Sequence, residues 1–195
     1  MGHLRALPMQ QGWIYEAIIS TYAGGTPHAA PIGVWTEDFT TLHMEIYDSS
    51  MTLQNVMSSE HFAANFPKDV QSIYAALFRP HDLLFEEAQE INAPLLCNSS
   101  ASVELALNGE IQLANRVHIT GTILRVHAHQ DIKLINRAES LLLESLIVAT
   151  RLRFMDNLTA RDELAENYRV IRKVAPNSSY ARTMEALLRD LSLDS

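Results

Sequence analysis

The chain has 195 residues, 47% of them hydrophobic and 19% charged, and its net charge is −8. That composition is globular rather than disordered, and the length supports a real core without covalent staples. An acidic surface repels nucleic acid and anionic membranes, which excludes both as general partners.

The opening stretch MGHLRALPMQQGW has no apolar leader, and no apolar run approaches the ~20 residues that span a bilayer, so the expected location is the cytoplasm. Trp13–Thr21 is rich in β-formers and predicts a first strand. Ala23-Gly24-Gly25-Thr26 is a hairpin signal, since paired glycines accept positive φ, and His28–Trp35 returns as the second strand. Pro31 has no N–H to give a ladder, so it marks an edge, a bulge or a place where the sheet opens. Gly33, two residues on, permits close approach by a backbone or a ligand. Thr41–Tyr47 is the third strand, with Leu42, Met44 and Ile46 on one side.

The next stretch carries the strongest chemical signal. A polar knot, Asp48-Ser49-Ser50, leads into a short helix over Met51–Met57, followed by a strand over His61–Phe66. A strand feeding a helix start leaves backbone N–H groups without intrahelical partners, and with the helix dipole these form a small anion site. Thr52 and Asn55 are three residues apart and share one helix face, a cradle for a single phosphate. The same residues also read plainly: Asp48, Ser49 and Ser50 as N-caps, Thr52 and Asn55 as polar residues of an exposed turn.

Asp69 caps a helix that runs to about Phe78 and stops before Pro80. Glu86, Glu87, Ala88 and Glu90 suggest a further short helix. Cys97, the one cysteine, excludes an internal disulfide; with no basic neighbour it reads as a buried, inert thiol. Ser102–Leu107 is a strand, Asn108-Gly109 a turn, and Arg116–His129 a long strand with Gly121 as its bulge. His127 and His129 share one strand face at a spacing metals accept, but no cysteine or carboxylate cluster accompanies them, so they read as an exposed strand end and no metal is assigned.

The period then changes. Ile135–Phe154 is apolar most of the way round a helix, which places it in a core or against a second subunit. Within it Glu144 reads as a buried carboxylate, paired with Arg137 and Arg151 in an ion-pair network or facing a substrate. Thr159 caps a helix over Ala160–Val174, and a last helix covers Tyr180–Leu191. About six strands followed by three helices make a mainly β chain with C-terminal helices (α+β), a closed or split barrel rather than a doubly wound sheet. The expected organisation is a single domain, 1–195, with a barrel core at 13–133 and a helical appendage at 134–195. No G-x-S-x-G, P-loop or G-x-G-x-x-G is present, which argues against the common hydrolase, NTPase and Rossmann chemistries.

The order and spacing of several pieces resemble the FMN-binding split barrel of the flavin reductase type. They are His28-Ala29-Ala30-Pro31-Ile32-Gly33, Ile46-Tyr47, Ser50-Met51-Thr52-Leu53-Gln54-Asn55 and Ala64-Asn65-Phe66. Asn136-Arg137-Ala138, Glu144 and Ala149-Thr150-Arg151-Leu152 look like one branch, an uncharacterised flavin-binding family (domain of unknown function 447) of archaea and of bacteria with methanopterin-type one-carbon chemistry. The similarity runs from about Trp13 to about Val174.

The resemblance implies a homodimer with FMN near the subunit interface. It implies Thr52 and Asn55 on phosphate or ribityl oxygens, with Ser50 helping through its hydroxyl or backbone. Ala30, Pro31 and Gly33 would form a flat shelf for the ring, and Tyr47 would stack or hydrogen-bond nearby. No Lys or Arg lies between Trp35 and Pro67, so the phosphate meets amides and hydroxyls alone, or else Arg79 or Arg116. The implied activity is FMN-dependent oxidoreduction of a small second substrate; the rival is a non-catalytic flavin carrier, sensor or scaffold. No catalytic residue is assigned: His28 and His43 lie nearest the ring site in sequence but read as strand-surface histidines.

Overall fold

The computed structural model describes residues 4–129, 131–152 and 157–191. The chain divides into two compact units. One takes the chain up to Gln11 and Tyr15–Ile135; the other takes Gly12–Ile14 and the chain from Asn136 onward.

In chain order the first unit contains β1 (Tyr15–Ala23), β2 (Thr26–Trp35), β3 (Thr41–Tyr47), α1 (Met51–Ser59), β4 (His61–Pro67) and α2 (Val70–Phe78). These are followed by β5 (Phe85–Glu87), β6 (Pro94–Leu96), β7 (Ser99–Gln112) and β8 (Arg116–Ala128). Six of the strands close an antiparallel barrel in the order β1-β2-β3-β8-β7-β4, and β5 and β6 form a separate pair. Alternation sends one face of each barrel strand inward. Leu42, Met44 and Ile46 are buried on β3, Phe62, Ala64 and Phe66 on β4, and Val117, Ile119 and Ile123 on β8. Each large apolar side chain so enclosed contributes about 1.5–3 kcal/mol to folding.

Gly24 and Gly25 turn the β1–β2 hairpin at φ 57° and 85°, as the paired glycines predict. Asn65, in the middle of β4, is fully buried and joins four strands. Its Nδ2 donates to Ile18 O and Ser20 Oγ, and its Oδ1 accepts from Leu96 N and Ser102 Oγ. Asp69 caps α2 by accepting from Gln71 N and Ser72 N, as expected.

Several local expectations are overturned. Asn108-Gly109 is not a turn. The β7–β8 ladder continues past it to Gln112↔Val117, and Asn108 is the extra residue of a bulge between Leu107↔Gly121 and Gly109↔Thr120. Gly121 is therefore not the bulge itself. Its role is steric, because a Cβ there would lie 2.7 Å from Phe62 Cζ. The short helix expected around Glu86–Glu90 is instead strand β5, paired with β6, because tertiary contacts capture the segment. The Glu104 carboxylate, fully buried on β7, accepts from Gln89 N at 3.0 Å, from Glu90 N at 2.7 Å, and bonds His127 Nε2 at 2.5 Å. His127 is thus a partner of a buried carboxylate rather than part of an exposed strand end. Among the described residues no group of three or more His, Cys, Asp or Glu is arranged to hold a metal. Cys97 is exposed, not buried, because it follows β6 at the surface end of the short hairpin.

The second unit contains α3 (Ala138–Arg151), α4 (Asn157–Val174) and α5 (Ser179–Asp190). Its core gathers Ala160, Leu164, Ile171, Val174, Ala181 and Met184. Asn136 clamps it: Nδ2 donates to Ile14 O and Val174 O, and Oδ1 accepts from Ala138 N at the start of α3. α4 begins before Thr159, which lies inside the helix instead of capping it. α3 is one-sided within this unit: Ala138, Ser145 and Val148 are buried, whereas Leu143 and Leu146 are 57% and 41% exposed. Glu144 shares the open side and is exposed, so it needs no buried counterion. Phe154, the expected end of this helix, lies outside the described residues. Among the described residues no helix is long and apolar enough to cross a membrane.

Candidate functional site

The barrel is open along one seam. β1 and β2 pair from Tyr15↔Val34 to Ala23↔Thr26, but β2 and β3 share only Val34↔Met44 and Trp35↔His43. From Gly33 back to Thr26 the other edge of β2 has no strand beside it among the described residues. Pro31 lies in this stretch, where its missing N–H costs no ladder bond.

α1 packs against β1, β2 and β3 next to that opening. Its start is defined by Ser50, whose extended backbone places Oγ 3.2 Å from Leu53 N as the N-cap acceptor. Gln54 N reaches Ser50 O. No hydrogen bond from the N–H of Met51 or Thr52 is made among the described residues, so two donors remain at the positive end of the helix dipole.

A groove of about 350 Å³ occupies the opening. β2 lines it with Ala30, Pro31, Ile32 and Gly33, β3 with Glu45, Ile46 and Tyr47, and the helix entry with Ser50 and Thr52. Leu77 of α2 and Arg116 of β8 complete the wall. Six of the seven residues singled out in the sequence therefore meet in one cavity. The seventh, Asn55, does not line it: its Nδ2 donates to Thr21 Oγ1 at 3.0 Å. Thr52 and Asn55 do share a helix face, as their spacing requires, but that face is docked on the β1–β2 hairpin. Thr52 Oγ1 lies 2.9 Å from His28 Nε2, and His28 is the cross-strand partner of Thr21.

A cation on another strand, Arg116 of β8, reaches the groove wall. Arg116 Nη1 bonds Glu45 Oε2 at 3.0 Å and Nη2 bonds Tyr47 Oη at 3.1 Å, with the guanidinium 4.7 Å from the Tyr47 ring centroid. The bond to Glu45 and then that to Tyr47 hold the Arg116 pKa above its usual value. Arg79, the other candidate cation, follows α2 and is not part of the groove wall. Glu45 and Leu77 carried no signal in the sequence beyond the outward phase of Glu45 on β3; only closure of the barrel brings them here.

His28 is held below the ordinary histidine pKa by burial, so near neutral pH it is an uncharged imidazole beside Thr52. His43 lies outside the groove. It bonds His118 through Nδ1 at 3.2 Å and stacks on Trp35, and its pKa is lowered by burial first and by His118 second.

A six-stranded antiparallel barrel, parted between two strands and flanked there by a capped helix start, is a split barrel with a groove at its opening. The chain belongs to the DUF447 family. The model of its N-terminal domain, described as a protein of unknown function, matches residues 15–130, and that of the C-terminal part matches 136–189. A relative of known sequence is the uncharacterized protein MJ1453 of Methanocaldococcus jannaschii, 24% identical over 92% of this chain and 99% of its own.

Solved structures share the fold. The FMN-bound DUF447 protein MM1853 of Methanosarcina mazei has a TM-score of 0.57 at 19% identity, covering 95% of this chain and 98% of that one. The NADH:FAD oxidoreductase SgcE6 of Streptomyces globisporus has a TM-score of 0.55 at 12% identity, over 64% of this chain and 81% of its own. A flavoredoxin of Methanosarcina acetivorans has a TM-score of 0.54 at 12% identity, over 64% and 73%.

Proposed function

We propose that this protein binds FMN in the groove between β2 and β3 and acts as an FMN-dependent oxidoreductase. The observation that carries the reading is the groove itself. It gathers Ala30, Pro31, Gly33, Tyr47, Ser50 and Thr52 with Arg116 at the seam where β2 and β3 part. The donor set fits the cofactor: two helix-start N–H groups and a threonine hydroxyl suit a phosphate, and the same wall carries the Arg116 guanidinium, paired with Glu45. The β2 edge, with Pro31 and Gly33 in place of bulky side chains, suits a flat ring. A volume of about 350 Å³ lies within the usual range for small-molecule pockets. The FMN-bound relative of the same family supports the choice of flavin.

Bound FMN supplies hydride or electron transfer through its N5 and C4a region. The chain holds the phosphate at the α1 start, orients the ring along β2 and β3, and leaves one side open for a small second substrate. Tyr47, Met51 and Leu77 are 55%, 54% and 55% exposed beside or near this opening. That apolar rim is what a second copy of the chain would cover, so the active form is a homodimer with the flavin near the interface.

The test is direct. Purified protein is titrated with FMN while its absorbance and flavin fluorescence are followed, and the loaded form is then mixed with NADH or NADPH. Saturable FMN binding with bleaching of the flavin band is the expected result. A protein that leaves the FMN spectrum and fluorescence unchanged sinks the flavin reading. Binding without bleaching by any reduced donor supports a carrier role in place of an enzyme.

A further inference from the structure

The Thr52 hydroxyl has one proton to give and two lone pairs. The residue is 3% exposed, yet it lines the groove, and among the described residues the one side-chain partner of its hydroxyl is His28 Nε2 at 2.9 Å. Two arrangements satisfy that contact. If His28 carries its proton on Nδ1, Nε2 accepts and Thr52 spends its only proton on the histidine. The hydroxyl then offers only lone pairs to the groove and repels an anion. If His28 carries its proton on Nε2, Thr52 accepts from it and its own O–H is free to donate into the groove. The choice of histidine tautomer therefore decides the polarity of a groove-lining hydroxyl.

The surrounding residues hold this contact in place. Thr21, opposite His28 across the hairpin, is occupied by Asn55. The hairpin and α1 are thus pinned by two parallel side-chain bonds, Asn55 to Thr21 and His28 to Thr52. The first has no titratable member; the second can reverse its direction.

Resting on the FMN reading above, we infer that His28 is a positioning residue: as the Nε2–H tautomer it donates to Thr52 Oγ1 and so turns the Thr52 hydroxyl into a donor to the flavin phosphate. Riboflavin, which lacks the phosphate, does not depend on this arrangement. His28 therefore sets the preference for the phosphorylated flavin and not affinity for the ring.

Three proteins test this: the wild type, His28→Leu and His28→Gln. Each is titrated with FMN and with riboflavin, and its fold is checked by circular dichroism. Glutamine places an amide N–H near the position of Nε2 and can donate to Thr52; leucine cannot. The expected result is an FMN-to-riboflavin preference that falls on the order of tenfold in His28→Leu, consistent with losing one hydrogen bond to a charged group. The preference is largely restored in His28→Gln, and riboflavin binding is the same in all three. A preference unchanged in His28→Leu overturns the role of His28 alone. A wild type that binds neither flavin overturns the flavin reading and this inference with it. If His28→Leu does not fold, the imidazole ¹⁵N shifts of the wild-type FMN complex decide the question: a proton on Nε2 is expected, and a proton on Nδ1 alone overturns the inference.

Discussion

The seam between β7 and β8 and the seam between β2 and β3 belong to one barrel and are built in opposite ways. β7 and β8 pair from Ala101↔Ala128 to Gln112↔Val117, and bulges at Asn108 and Leu124 take up extra residues without parting the strands. β2 and β3 share two residue pairs and then separate. No proline interrupts β7 or β8, whereas β2 carries Pro27 and Pro31. A completed ladder satisfies its own backbone donors and acceptors and leaves them nothing to offer a ligand. A seam that stops early leaves room for a helix start, unpaired amides and a cavity. The closed side therefore carries the continuous ladder, and the groove and its unpaired donors lie on the open side.

Variants on the closed side should alter stability and spare the groove. The largest loss is expected for Glu104→Ala, which leaves the N–H groups of Gln89 and Glu90 and the His127 ring without their buried acceptor. About 3 kcal/mol is expected in urea unfolding, because breaking a buried pair strands its partners. Burial by itself raises the Glu104 pKa, but the bonds from Gln89 N–H, His127 and Glu90 N–H outweigh it, and the net shift is downward. A carboxyl depressed in the fold adds stability above its unfolded pKa and loses it as pH falls through the folded value. Acid unfolding of Glu104→Gln should accordingly show a shallower slope than the wild type below the ordinary carboxylate range.

Next in size is Gly121→Ala. Its Cβ would meet Phe62 Cζ at 2.7 Å and Leu105 Cδ2 at 3.2 Å, both in side chains with no solvent exposure, and about 2 kcal/mol of overpacking should appear as a lower thermal midpoint.

On the open side the order of effects reverses. Arg116→Ala removes a partly exposed ion pair with Glu45 that adds little to folding, but it also removes the cation of the proposed phosphate wall. FMN affinity should drop about tenfold in a fluorescence titration, with the unfolding midpoint nearly unchanged. Ser50→Ala is the smallest and touches both properties: loss of the cap on Leu53 N costs about 1 kcal/mol and loosens the helix start. If Arg116→Ala were to destabilise the fold more than Gly121→Ala does, the division between the two sides would not hold.

Much of this was readable before any coordinates. β3 lies at Thr41–Tyr47 as its alternation predicts, and α2 starts after the Asp69 cap, because both signals are local. Pro31 limited β2 to an edge, a bulge or an opening in the sheet, since a missing N–H is a covalent fact, and the structure takes the last of these. The errors lie where distant residues intervene. Glu104 captures Gln89 and Glu90 from 15 and 14 residues away and turns a helix-like stretch into an irregular one beside β5. Asn108-Gly109 has the composition of a hairpin turn, but the continuing partner strand makes it a bulge. The partner of Asn55 was equally out of reach of the sequence: Thr21, 34 residues away on another element, takes its amide N–H.

Local chemistry in the chain determined the strands, the caps, the weak point on β2 and the polar start of α1, because each depends on backbone geometry and near neighbours. Only the tertiary structure decided that Arg116 lines the groove beside Glu45, that His28 stands behind Thr52, and that Glu144 is exposed. Those outcomes depend on which strands and helices come to lie side by side, and spacing along a chain does not encode the distance between residues brought together by closing a barrel.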